Sequence, residues 1–197
     1  MAAIVLIITT IVITLMAWYL RPDWQVKGML RPYEAYREGK WYQLITSGFL
    51  HGNSTHLLFN MITFFFFGPQ LEQIIGTGLF LLLYFSALII SSIPTLFLHR
   101  NNPNYASLGA SGAVGAVIFS YILFYPLSNL YIIFIPGGIP AVLFGILFLV
   151  VSYYAGRRQL GAINHDAHFT GAVYGLLFTL IFIPRSFENF LSAVGIM

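Results

Sequence analysis

Runs of apolar residues follow one another along the whole chain, separated by charged residues, proline, glycine or asparagine. A helix needs about 20 mostly apolar residues to cross a hydrocarbon core about 30 Å thick. The fourth run is short for a full span, so we expect its helix to begin inside the membrane, buried among the others. The runs together predict six membrane helices, over residues 2–20, 53–68, 77–98, 111–126, 138–155 and 165–184.

The composition leaves too few polar residues to cover a water-facing surface. Hydrophobic residues make up 58% of the 197 residues and charged residues 8%, whereas soluble domains have about 45–50% and about 25%. The bilayer must then be the solvent for most of the chain, which predicts one all-α membrane domain over residues 1–197. The first helix lacks a basic leader and a small-residue cleavage site, so we expect it to be retained, with no soluble domain before it.

The longest connection, residues 21–48, combines aromatic rings with cations. Amphipathic rings beside cations suit the headgroup level of a membrane. We therefore expect short helices that lie in the interface and contact lipids. The residues concerned are Trp24, Tyr33, Tyr36, Trp41, Tyr42, Arg31, Arg37 and Lys40.

Several kinds of chemistry find no support in the sequence. The absence of cysteine excludes disulfides, thiolate zinc sites and cysteine nucleophiles. The net charge of +3 is small and scattered, so no nucleic acid partner is expected. The His-Glu-x-x-His signature is missing, and His165 with His168 has no third ligand at a suitable spacing, so neither a metal nor another cofactor is expected. Nothing in the sequence indicates the oligomeric state.

Polar groups within membrane spans are expensive, so each one is a candidate for function. The predicted fourth helix opens with Gly109-Ala110-Ser111-Gly112. Glycines allow close backbone approach, and the N-terminus of a helix favours a developing anion. Ser111 is therefore a candidate nucleophile, although Gly-x-Ser-Gly alone also suits plain helix packing.

The predicted sixth helix carries His168 one turn before Gly171, and Gly171 with Gly175 forms a face of small residues. Such a face lets a neighbouring helix approach closely. A neutral imidazole at this contact could take the proton of a serine, because its unperturbed pKa near 6.5 suits a general base. A packed histidine bonded to a carbonyl is the alternative.

The predicted second helix follows His51 and presents His56 and Asn60 on one face, four residues apart. Two donors on one face of a buried helix can stabilise an oxyanion, although hydrogen bonding between helices would also account for Asn60. Asp166 lies two residues from His168, on a different face of its helix, so it is not placed to orient the imidazole. The sequence thus favours a Ser-His dyad over a triad.

Taken in order, these motifs resemble the rhomboid family of intramembrane serine proteases. The resemblance covers about residues 41–175 and is to the membrane core of bacterial members, without a soluble N-terminal domain. It rests on a histidine, a His and an Asn one turn apart, Gly-x-Ser-Gly, and Ala-His-x-x-Gly on the second, fourth and sixth helices. Here these are His51, His56 with Asn60, residues 109–112 and residues 167–171.

The resemblance implies a six-helix protease of a bacterial inner membrane that cleaves transmembrane helices of other proteins. Ser111 would attack the peptide bond, His168 would act as general base, and His56, Asn60 and the Ser111 backbone N–H would bind the oxyanion. His51 would be structural or handle water at the mouth of the cavity. Four glycines are expected to support the site through close packing: Gly109, Gly112, Gly171 and Gly175.

Two positions depart from the family pattern. Many bacterial members carry an aromatic residue one turn after the serine, packed on the catalytic histidine, whereas this chain has Gly115. Another ring must then hold His168, or the imidazole is less constrained. A Trp-Arg pair is common in the first loop, where this chain reads Trp41-Tyr42-Gln43, and the anchoring of the loop must differ accordingly.

Two criteria predict opposite orientations of the chain in the membrane. Most cations fall in the first, third and fifth loops, and the charge rule makes that side cytoplasmic. The resemblance instead places the N-terminus inside and the opening of the site outside, and we follow it.

Other function classes share parts of this pattern. An inactive rhomboid-like scaffold or chaperone would keep the fold without the chemistry. A transporter or channel could line a path with the histidines, but the paired interrupted helices expected of such folds are missing. For a protease, we expect substrates with helix-weakening residues such as Gly or Pro near the scissile bond, because a helix hides its peptide bonds. The resemblance adds a small residue before that bond.

Overall fold

The chain is helical almost throughout in the computed structural model, which describes residues 1–131, 137–158 and 163–197. Its helices are α1 (Ala2–Tyr19), α2 (Pro22–Gly28), α3 (Pro32–Glu38), α4 (Gln43–Thr46), α5 (Ser54–Ile75), α6 (Thr77–His99), α7 (Ser111–Phe124), α8 (Ala141–Arg157), α9 (His165–Phe182) and α10 (Arg185–Ala193). A 3-10 turn covers Ser47–Phe49, and Asn129–Leu130 pairs antiparallel with Ile139–Pro140. The predicted all-α fold class is confirmed.

The helices differ in whether their length and hydropathy suffice to cross a membrane. In the described part of the chain, α1 and α6 are long and apolar enough to span, and α9 passes the same test when joined to α10 across a sharp bend. The apolar helices α7 and α8 are shorter, with 14 and 17 residues. The chain is an integral membrane protein, and the six spans remain a prediction.

Helix α5 continues to Ile75, seven residues past the predicted end at 68. Pro69 lies within the helix and removes one internal hydrogen bond there. The extension is held by Glu72, whose carboxylate accepts hydrogen bonds from the N–H groups of Ala2 at 2.8 Å and Ala3 at 2.9 Å. Because these first N–H groups of α1 have no partner within their own helix, Glu72 caps α1 and fastens the two helices together.

The first loop contains short helices, as expected, and a buried glutamine anchors it. The Gln43 side chain accepts the Arg31 N–H at 3.0 Å and donates to the Lys27 carbonyl at 3.3 Å. It also lies 3.4 Å from the Glu34 carboxylate, which accepts a hydrogen bond from Lys40 at 2.8 Å. The Lys40 ammonium holds the pKa of Glu34 below its usual value. Gln43 thus anchors the first loop, in which the Trp-Arg pair of the family pattern is missing.

Helix α7 is the centre of the bundle and is buried from Gly112 to Leu123. It packs on α5, α6 and, most extensively, α9. Gly171 lies directly on the backbone carbonyl of Gly112, and Gly175 on that of Ala116, so a Cβ at either glycine would overlap the carbonyl oxygen. The equal spacing of these contacts shows that α7 and α9 run parallel at the distance that only glycine allows.

We expect Gly175→Ala to destabilise the protein by about 1–3 kcal/mol, because the added methyl group has no room against α7. Gly78→Ala in α6 is the matched control, since a Cβ there meets nothing within 4 Å and alanine favours a helix. Thermal unfolding of both variants in detergent micelles checks this. Equal midpoints for the two variants would show that the α7–α9 contact does not limit stability.

Candidate active site

Ser111 is the first residue of α7. Gly109 forms the turn that leads into this helix. Gly109 has φ 122°, a backbone conformation that L side chains rarely adopt, and its N–H donates to the Ser47 carbonyl at 2.9 Å. A Cβ at Gly109 would also lie 2.7 Å from Nε2 of His56. Glycine is therefore required both by the turn and by the imidazole that packs on it.

The Ser111 hydroxyl and His168 lie in direct contact. Nε2 of His168 is 2.7 Å from Oγ of Ser111, although the two residues are 57 positions apart in the chain. Both are at the N-terminal ends of the parallel helices α7 and α9, and the Gly112–Gly171 contact lies one residue beyond Ser111. The two residues singled out from the sequence are thus brought within hydrogen-bonding distance.

The imidazole has no carboxylate behind it in the described part of the chain. The only hydrogen bond of its ring there is the one to Ser111. Asp166 turns instead toward α8, where its Oδ1 would lie 2.7 Å from a Cβ at Gly156. The geometry is that of a serine–histidine pair without a third acidic group.

The ring of Phe148, from α8, lies beside the imidazole of His168. The two centroids are 6.1 Å apart and the planes differ by 27°. At Gly115 a Cβ would be 3.8 Å from the His168 carbonyl, so no side chain on α7 supports the ring from that position. The ring that the sequence left unassigned is therefore supplied by a different helix.

His56 and Asn60 face the same cavity as the pair. Asn53 caps α5, since its side chain accepts the His56 N–H at 2.8 Å. Asn60 donates one amide hydrogen to the His56 carbonyl at 2.9 Å, which leaves its second N–H for another acceptor. Both side chains line the cavity that contains Ser111.

His51 is not at the mouth of the cavity, where the resemblance placed it. Its side chain is fully buried, and it does not line the cavity. Helix α1 holds it inside, because Trp18 donates to its carbonyl at 2.8 Å and Thr14 lies 3.3 Å from its Nδ1. Its ring is 4.9 Å from that of His56. His51 thus lies behind His56 and supports it.

The cavity is large, and both polar and apolar side chains line it. Its volume is about 1210 Å³. His99 and His165 also face it, together with Phe148. Among the residues that the structure describes, no group of three or more His, Cys, Asp or Glu side chains could share a metal ion. The site can therefore hold an extended peptide segment and water beside the Ser111 hydroxyl.

Asn164 is a contributor that the sequence analysis missed. Its Oδ1 caps α9 by accepting the Ala167 N–H at 3.1 Å, while its Nδ2 donates to Thr95 at 2.8 Å and to Ser107 at 3.1 Å. One side chain thus joins α9 to α6 and to the segment before Ser111. An asparagine just before a predicted helix is a capping signal, so the cap could have been predicted, but its long-range partners could not.

The fold and the site define an all-α integral membrane protein with a serine–histidine pair inside the bundle. Residues 38–185 match the family model described as the rhomboid domain. The chain belongs to the rhomboid family.

Curated relatives include proteins of bacteria and plants. The chain is 30% identical over 169 residues to the rhomboid protease GlpG of Photorhabdus laumondii, covering 85% of this chain and 56% of that protein. It is 31% identical over 153 residues to the mitochondrial RHOMBOID-like protein 12 of Arabidopsis thaliana, covering 70% and 45%. It is 39% identical over 92 residues to YdcA of Bacillus subtilis, covering 46% and 45%. The chain thus spans about half the length of these relatives.

We expect Phe148→Ala to lower kcat of a proteolytic reaction about 3- to 10-fold with little change in KM, because an aromatic neighbour contributes about 0.5–1.5 kcal/mol to the position of a ring. Phe144→Ala, one turn away on α8, is the matched control, and Phe148→Tyr should restore the rate. Steady-state cleavage of a transmembrane substrate in detergent measures this. Equal losses in both alanine variants would assign Phe148 to general packing.

Proposed function

We propose that this protein is an intramembrane serine endopeptidase that cleaves transmembrane helices of other proteins. The observation that carries the proposal is the 2.7 Å contact between Oγ of Ser111 and Nε2 of His168 within the bundle. A nucleophile and a base within hydrogen-bonding reach are the minimum for acyl transfer. Membership in the rhomboid family supports the same reaction class.

In the first half of the reaction, Nε2 of His168 takes the hydroxyl proton as Oγ of Ser111 attacks the scissile carbonyl carbon. The carbonyl oxygen becomes an anion, and the tetrahedral intermediate then collapses. His168 returns the proton to the leaving amine, so the peptide bond breaks and an ester to Ser111 remains.

The developing anion would be met by three donors. Ser111 is the first residue of α7, so its backbone N–H has no partner within the helix. His56 packs on Gly109, two residues before Ser111, and Asn60 keeps one N–H free on the same face of α5. Preorganised donors of this kind stabilise the transition state by a few kcal/mol each.

In the second half, a water molecule in the cavity attacks the ester while His168 takes its proton. The bond between the acyl carbon and Oγ of Ser111 then breaks, the acyl group leaves as a carboxylic acid, and His168 returns its proton to Oγ. Since no carboxylate orients His168 among the described residues, we expect turnover to be slow compared with enzymes that have a full triad.

The substrates we propose are transmembrane proteins. A stable helix buries its peptide bonds in internal hydrogen bonds, so helix-weakening residues near the scissile bond are needed to expose it. The family suggests a small residue just before that bond. The protein would act in a bacterial inner membrane, in contact with lipids.

A rhomboid-like scaffold or chaperone is the alternative function. It would share the fold but would not need a reactive serine. Labelling by a fluorophosphonate separates the two, since the reagent reacts only with a serine that an adjacent base activates.

We expect wild-type protein to cleave a model transmembrane substrate with Gly and Pro near its centre, and Ser111→Ala and His168→Ala to abolish cleavage. Ser92→Ala is the matched control, because that hydroxyl also lines the cavity but donates to the Leu88 carbonyl at 2.9 Å. Cleavage in detergent, with and without a chelator, and fluorophosphonate labelling of each variant provide the readouts. A folded wild-type protein that neither cleaves nor labels would favour the scaffold.

His56→Ala and Asn60→Ala should each lower kcat about 100-fold with a much smaller change in KM, because oxyanion donors act mainly on the transition state. His99→Ala is the control from the same cavity, since its ring stacks on Tyr105 at 3.6 Å instead. Rates measured beside thermal unfolding would separate chemistry from folding. Unchanged kcat in both variants would remove these residues from the oxyanion site.

A further inference from the structure

The C-terminal helix α10 lies across the end of the bundle. It begins at Arg185, directly after Pro184, and its axis is turned by 113° from that of α9. It contacts α7 and α9. Since α9 and α7 run parallel, α10 crosses beneath the ends that point away from Ser111.

The residues of α10 divide into two faces. Apolar side chains recur at positions three and four apart on one side of the helix, and polar side chains occupy the opposite side. The apolar face comprises Phe187, Phe190 and Leu191, and Val194 follows it directly after the end of the helix. The polar face comprises Arg185, Glu188, Asn189 and Ser192.

The bundle covers the side of α10 at Ser186, next to the apolar face, and leaves part of that face uncovered. Ser186 is fully buried against the bundle, whereas Phe187 is 49% exposed. The last turn of α9 continues this exposed apolar surface, with Ile181 69% and Phe182 51% exposed. These side chains of α9 belong to the lipid-facing wall of a membrane protein, so Phe187 continues a surface that lipid already covers.

We propose that α10 lies flat in the lipid–water interface, in the leaflet at the C-terminal end of α9. Phe187 and Leu191 insert among the acyl chains, and Glu188 and Ser192 face the headgroups and water. Helices with one apolar and one strongly polar face bind membranes in this way. The partner of this surface is the lipid itself.

The charges on α10 decide which lipids it needs. Arg185 and Glu188 are opposite in sign, and the helix Arg185–Ala193 contains no other charged residue. Its binding is therefore hydrophobic and requires neither anionic lipid nor low salt.

This placement gives α10 a positional role. Helix α9 is unbroken from His168 to Phe182, which are 14 residues apart. At 1.5 Å per residue the backbone of His168 lies about 21 Å along the axis from the end of α9, to which Ile183 and Pro184 join α10. A helix fixed in the interface therefore sets the depth of the Ser111–His168 pair.

The chain has no cysteine, so single-cysteine variants can be labelled without background. We would attach a nitroxide at Phe187, Glu188, Leu191 and Ser192 in turn, in the full 197-residue chain reconstituted into phosphatidylcholine vesicles. Power-saturation electron paramagnetic resonance then compares collision with oxygen, which concentrates in the bilayer, and with a water-soluble nickel chelate. Labels at Leu143 on α8 and at Asn101, exposed in the turn after α6, provide the lipid and water references.

The proposal expects oxygen to dominate at 187 and 191 and nickel to dominate at 188 and 192, unchanged when phosphatidylglycerol or salt is added. Nickel dominance at all four positions would place α10 in water, and oxygen dominance at all four would place it within the hydrocarbon as part of a span. Shielding of 187 and 191 from both reagents would mean that protein covers them. Each of these three results overturns the proposal, as does a requirement for anionic lipid. None depends on proteolytic activity.

Discussion

The close contact between α7 and α9 is the constraint on which the rest of the structure depends. At Gly171 and Gly175 the backbone of α9 touches carbonyl groups of α7, with no side chain between them. The contact continues at Ser120, which donates to the Gly175 carbonyl at 3.1 Å and accepts from Thr179 at 2.6 Å. Because both helices are rigid over these turns, their separation fixes the distance between Ser111 and His168.

The surrounding helices satisfy polar groups that the membrane cannot. Without water, an unpaired backbone or side-chain group costs several kcal/mol. Glu72 accepts the free N–H groups of α1, and Asn164 caps α9 while binding α6. These side chains connect the helices through the same bonds that satisfy their ends. Polar residues in this protein are therefore concentrated where helices begin and where they meet.

The sequence predicted those features that depend on local spacing. Each of these features involves residues close together at one helix, and a single helix can be predicted from periodicity. They are Ser111 after Gly109, His168 one turn before Gly171, and His56 four residues before Asn60. The expectation that Asp166 does not orient the imidazole also rested on its position on the helix. Local arguments thus identified the residues that line the cavity, while their roles in catalysis remain proposals.

Features that depend on contacts between distant segments could not be predicted. Gln43 anchors the first loop through partners 9 to 16 residues away, and Phe148 reaches His168 from another helix. Helix α5 extends past its predicted end because Glu72 accepts a hydrogen bond from the N-terminus of α1, 70 residues away in the chain. The burial of His51 was not predicted for the same reason, since its contacts are with Trp18 and Thr14 of α1.

The first loop is bonded to the segment that leads into the short helix α7. Leu30 and Ser107 exchange backbone hydrogen bonds of 2.8 and 2.9 Å, which ties the first loop to the segment before Ser111. The loop and the serine are therefore at the same end of the bundle, opposite α10. At membrane depth, unpaired N–H groups at the start of a helix are tolerated where protein groups or a water-filled cavity can satisfy them. The start of α7 faces the cavity, which Leu30 and Leu44 of the first loop also line. The water that the proposed hydrolysis requires would occupy this same cavity.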